Sequence, residues 1–128
     1  MKNKKIILIT EDDGSLRGAL DDKLLNSGFD VLEAQNGEEG LVISLKEHPD
    51  LILLDLAMPK MDGMSMLRAL RKDEWGKTVP VIIMTNLSSE DEKINKDITE
   101  LEPTYYLTKS NVGINNIIEK IKERLGIL

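Results

Sequence analysis

The chain contains no cysteine. A disulfide framework, a thiolate metal knuckle and a thiol nucleophile are therefore excluded. That absence fits a reducing compartment. Aromatics are scarce too: one tryptophan, two tyrosines and one phenylalanine among 128 residues. Basic and aromatic side chains do not interleave, so direct nucleic-acid binding is not expected. Long apolar runs are also missing, and no stretch approaches the ~20 residues of a membrane span. Met1-Lys2-Asn3-Lys4-Lys5 leads into Ile6–Ile9, which is too short for a secretory signal core, and acids follow at once. The expected location is the cytoplasm, without membrane contact. A formal net charge of −6 adds solubility and little else.

What is present is a regular alternation. The length suits one domain, which buries roughly two-thirds of its unfolded surface. Lys5–Ile9 is a β-rich run ending at Thr10. Ser15–Asn26 carries Leu16, Ala19, Leu20 and Leu24 at helical spacing, and Ser27-Gly28 stops it. Asp30–Ala34 is a short strand. Gly37–Glu47 is helical, with Leu41 and Leu45 one turn apart, and Pro49 ends it. Leu51–Leu54 is all apolar, as expected of a strand buried on both faces. Asp55 to Gly63 is a loop, Met64–Lys72 a helix, and Val79–Met84 another apolar strand around Pro80. A helix over Asp91–Leu101, a strand over Thr104–Leu107 and a helix over Asn111–Leu125 complete the pattern. Strict alternation predicts an α/β fold, a doubly wound five-stranded parallel sheet with five helices. One domain over residues 1–128 is expected.

Ligands of such sheets bind beyond the carboxyl ends of the strands. There the sequence places Glu11-Asp12-Asp13 after the first strand and Asp55 after the third. Thr85 ends the fourth and Lys109 follows the fifth. Crowded carboxylates repel, so without a cation at least one pKa should rise. A divalent cation removes the conflict, and hard oxygen ligands with waters suit Mg²⁺. A nucleophilic carboxylate, a metal and fixed donors are the parts that phosphoryl transfer needs. Each residue alone reads more plainly. Glu11-Asp12-Asp13 is a solvated turn in which Asp13 or Ser15 caps a helix, and Lys109 is one more surface lysine. Their joint fall at strand ends favours the pocket.

These residues also carry a family resemblance over essentially the full length. The chain resembles the receiver domains of two-component response regulators, the CheY-like family. The matching motifs are Glu11-Asp12, Leu53-Leu54-Asp55, Met58-Pro59-Lys60-Met61-Asp62-Gly63, Thr85, and Tyr106-Leu107-Thr108-Lys109. Asp12 and Asp55 lie 43 residues apart, and Asp55 and Thr85 lie 30 apart. The resemblance implies a flavodoxin-like strand order 2-1-3-4-5 and a phosphoryl acceptor at Asp55. It implies Mg²⁺ (or Mn²⁺) held by Asp12, Asp55 and the Ala57 carbonyl, with Glu11 acting through water. Lys109 and Thr85 would hold phosphoryl oxygens, and Tyr106 would be the switch residue. The implied donor is a sensor histidine kinase or a histidine phosphotransfer protein. The implied readout is a downstream protein that binds the face of the 91–101 helix, the last strand and the last helix. A monomer or a phosphorylation-dependent dimer is expected, with Ile94, Ile98, Ile114 and Ile118 as the candidate partner face. Such a protein is a switch rather than an enzyme and catalyses only its own phosphorylation and dephosphorylation.

Two other readings compete. A receiver used purely as an interaction module needs none of these acids. A small Mg²⁺-dependent phosphatase with an aspartyl nucleophile needs a second acid two residues on, and Asp55-Leu56-Ala57 lacks it. A flavin site fails because the acids after the first strand repel a phosphate. The chain also departs from the family pattern. Ser110 follows Lys109 where proline is usual, so the trans peptide becomes the default. Asn86 replaces a small residue, and Glu102-Pro103 replaces a glycine turn. Ala57 and Leu87 occupy positions where polar side chains influence hydrolysis, and neither can orient a water. The phosphorylated chain should therefore lose its phosphoryl group more slowly than variants with polar side chains at both positions. Equal decay rates, followed by intact mass, would refute this.

Overall fold

Short apolar runs become strands here because both sheet faces are covered. The computed structural model describes residues 4–56, 58, 60–85, 105–108 and 113–127. The strands are β1 (Ile6–Thr10), β2 (Asp30–Ala34), β3 (Leu51–Asp55), β4 (Val81–Thr85) and β5 (Tyr105–Thr108). The helices among the described residues are α1 (Gly14–Asn26), α2 (Gly37–Glu47), α3 (Gly63–Lys72) and α4 (Ile114–Leu125). All strand pairs are parallel, in the order β2-β1-β3-β4-β5. The expected order therefore holds. The helix expected over 91–101 lies outside the described residues.

Strand alternation divides the core into two layers. Ile7, Ile9, Leu51, Leu53, Ile82 and Met84 pack against Leu20 and Leu24 of α1 and Ile117, Ile118 and Ile121 of α4. Leu8, Ile52, Leu54, Val81 and Ile83 pack on the other face against Met66, Leu67 and Leu70 of α3. Met58 is buried and Met61 and Met64 line the same cluster, so these methionines are packing residues around a turn. Each fully buried aliphatic side chain contributes about 1.5–3 kcal/mol of transfer free energy.

Several details differ from the sequence pattern. Leu41 and Leu45 lie one turn apart on α2, yet that helix buries Gly37, Gly40 and Ser44. Small residues let α2 approach closely, so Leu41 is only half-buried and Leu45 is 40% exposed. β4 starts at Val81 because Pro80 has no N–H for the ladder. The Pro80 carbonyl still accepts from the Ile52 N–H at 3.0 Å. Of the partner face expected around Ile94, Ile98, Ile114 and Ile118, the first two lie outside the described residues; the other two belong to the core, since Ile118 is buried and Ile114 packs against the same cluster. His48 is exposed at a left-handed helix end (φ 48°), with its ring stacked on Trp75 at 4.3 Å. That pair lies at the amino-terminal edge of the sheet, before β3 and β4.

The opposite edge is shaped by caps and by close approaches of the main chain at Gly37 and Gly63. Asp13, Asn36 and Asp62 cap α1, α2 and α3, each side chain accepting from backbone N–H groups of the first turn. Such caps contribute about 1 kcal/mol each. The Gly63 N–H donates to the Leu56 carbonyl at 3.0 Å, folding the β3–α3 loop back onto the strand end. A methyl group at Gly63 would collide with the Asp55 carbonyl oxygen and lie 2.8 Å from Leu56 Cα.

Two substitutions test this packing. Gly63→Ala should destabilise the fold by about 1–3 kcal/mol, as overpacked sites do. An unchanged urea midpoint would show that the loop has room. Thr10 is fully buried, and its hydroxyl has no hydrogen-bond partner among the described residues. Thr10→Val keeps the shape and removes that orphan, so it should stabilise by about 1 kcal/mol. A lower midpoint would mean that the hydroxyl has a partner.

Candidate functional site

The order β2-β1-β3-β4-β5 reverses direction between β1 and β3. Crevices in open α/β sheets form at such a reversal, beyond the strand carboxyl ends. Asp55 is the last residue of β3, and Glu11 directly follows β1. Thr10 pairs with Leu54, so Glu11 and Asp55 follow that pair on adjacent strands. Glu11 is fully buried, Asp55 is 4% exposed and Asp12 is exposed. One carboxylate oxygen from each of Glu11, Asp12 and Asp55 lies within 4.8 Å of the others. The structure thus brings together the acids that the sequence placed at this rim.

Buried carboxylates need hydrogen-bonded partners. Glu11 Oε2 accepts from the Asp13 N–H at 3.3 Å. The Glu11 N–H donates to the Ala34 carbonyl at 3.0 Å. The Glu11 carbonyl accepts from Arg17 Nη1 at 2.8 Å. Asp13 is turned away as the α1 cap, its Oδ1 accepting from the Ser15 N–H at 2.9 Å. The expectation that Asp13 caps the following helix therefore holds. Arg17 was not among the residues that sequence pattern singles out. A basic residue six positions after Glu11, on the first turns of the following helix, was the available signal.

Other expected residues are placed by backbone alone. Thr85 closes β4, one residue beyond Met84, the β-ladder partner of Asp55. Thr85 pairs with Thr108, and Tyr106 pairs with Ile83. Ala57, Asn86, Leu87, Glu102, Pro103, Lys109 and Ser110 lie outside the described residues.

The acids fit a hard cation by donor chemistry and spacing. Oxygen ligands ~2.1 Å from an octahedral ion stand ~3 Å apart as neighbours and ~4.2 Å apart when opposite. A cluster confined within 4.8 Å can close on one ion, directly or with a water in between. No helix among the described residues is long and apolar enough to cross a membrane.

The chain is similar to known proteins in sequence and in fold. A response regulator receiver domain protein (CheY-like) from Methanospirillum hungatei superposes with a TM-score of 0.86 at 27% identity, covering 97% of this chain and 95% of that one. A probable transcriptional regulator, ycf27, of Porphyridium aerugineum is 43% identical over 91 residues, which are 71% of this chain and 37% of that protein. The DNA-binding dual master transcriptional regulator RpaA of Synechocystis is 38% identical over 88 residues, 69% of this chain and 36% of that protein. The chain thus spans well under half the length of these curated relatives. Because RpaA is described as DNA-binding, the expectation of no nucleic-acid contact finds no support among them. Residues 7–122 match the response regulator receiver domain, and the chain belongs to that family.

Proposed function

We propose that this chain takes a phosphoryl group onto Asp55 in a Mg²⁺-dependent reaction and switches a protein-interaction surface in response. The donor is a histidine kinase or a histidine phosphotransfer protein. The observation that carries this reading is the meeting of Glu11, Asp12 and Asp55 at the β1/β3 reversal. An Asp55 carboxylate oxygen attacks the phosphorus in line with the departing nitrogen of the donor imidazole. The phosphorus–nitrogen bond breaks, and the product on this chain is an acyl phosphate. Burial of Asp55 keeps bulk water from competing at that oxygen.

Asp12, Asp55 and the Ala57 carbonyl would hold Mg²⁺ (or Mn²⁺) directly and Glu11 through a water. The ion would offset charge on the phosphoryl oxygens. Thr85 and Lys109 are assigned to two of those oxygens, and Tyr106 to the switch. The chain acts as a switch and turns over no other substrate, and its setting is the cytoplasm. The readout is assigned to residues 91–101, β5 and α4.

Intact mass after incubation with a small-molecule phosphodonor tests the reading. A gain of one phosphoryl group is expected with Mg²⁺, with none in its absence and none in Asp55→Asn. No gain under any condition would leave a receiver used as an interaction module.

A further inference from the structure

Arg17 reaches from α1 back over the turn that carries the acids. Its Nη1 donates to the Glu11 carbonyl at 2.8 Å, and its Nε donates to Glu33 Oε1 at 3.1 Å. Its side chain is only 17% exposed. The guanidinium passes over Gly14, where an added methyl would lie 3.7 Å from Nη2. Glu33 belongs to β2 and is paired with Ile9 in β1. The two peptide groups that flank the Glu11 Cα are therefore both held, the Glu11 N–H by Ala34 and the Glu11 C=O by Arg17.

We propose that Arg17 is a positioning residue for the acid cluster, locking the Glu11 peptide so that Glu11 and Asp12 face Asp55 before a cation arrives. The inference rests on the phosphoacceptor reading of that cluster. An exposed ion pair between Arg17 and Glu33 alone would contribute little. The bond to the main chain of a candidate metal-binding residue is different, because it fixes where two carboxylates begin. Guanidinium suits this task, since its rigid fork serves two acceptors in one plane. Glu33 also offsets its charge, so the effect on a cation comes through geometry and not through repulsion.

These alternatives differ in sign. A bare positive charge near the cluster would weaken cation binding, and its removal would tighten it. A positioning role predicts the reverse. Calorimetric titration with Mg²⁺ should show a Kd about tenfold weaker in Arg17→Ala, the low end for partners that orient metal-binding residues. Arg17→Lys keeps the charge and loses the fork, so it should weaken binding nearly as much. Glu33→Gln should weaken binding less. Circular dichroism establishes that each variant is folded, and Arg17→Lys serves if Arg17→Ala is not. An unchanged or tighter Kd in the folded variant would overturn the proposal. If the unmodified chain binds Mg²⁺ and gains its phosphoryl group while Arg17→Ala binds equally well, only the Arg17 proposal fails. If the unmodified chain binds no Mg²⁺, the phosphoacceptor reading falls and takes this proposal with it.

Discussion

The parallel pairing of β1 with β3 is the constraint on which the rest depends. Thr10 opposite Leu54 puts Glu11 and Asp55 side by side at the strand ends. A slip of one residue would turn the apolar set of either strand to the wrong layer. Ile7 and Ile9 would then lose the α1/α4 layer, and Leu8 would lose the α3 layer. Packing on both faces therefore fixes the register, and the register fixes the acids. Asp50 pins the opposite end of β1, its Oδ2 accepting from the Ile6 N–H at 2.8 Å.

The carboxyl edge holds what the core would reject. Glu11 and Asp55 are carboxylates buried at the rim of a layer of isoleucine, leucine and valine. Burial of a charge is costly unless partners are supplied. The backbone supplies part of that at Glu11, through the Asp13 N–H. The loop after β3 is equally constrained, because Gly63 lies against the main chain of Asp55 and Leu56. Lys60, within the same loop, adopts a left-handed conformation (φ 64°). Close packing and rare backbone geometry thus gather around Asp55, where rigid placement would serve the proposed chemistry.

The strands were legible because their apolar runs are short and bounded by turn residues. β2 and α2 match their sequence limits, Asp30–Ala34 and Gly37–Glu47. The inward face of α2 was not legible, because glycine and serine carry no hydrophobic signal while Val42 and Leu45 do and are exposed. Ile118 misled in the opposite way: its stripe marks a packed face, and periodicity does not name the packing partner. Glu11, Asp12 and Asp55 were legible from order along the chain, since alternating elements put them at one edge. Arg17 was hidden, because its function depends on an acceptor in the main chain, which side-chain patterns do not record.

Under the proposed function, the phosphoryl group is carried by one buried carboxylate at the end of β3. The most direct measurement treats the phosphorylated chain with hydroxylamine and maps the product by tandem mass spectrometry. An acyl phosphate is converted to a hydroxamate at the residue that carried it. One hydroxamate is expected, at Asp55, with release of phosphate. A hydroxamate at Asp12 or another acid, or a phosphoryl group that resists hydroxylamine on a serine or threonine, would contradict it.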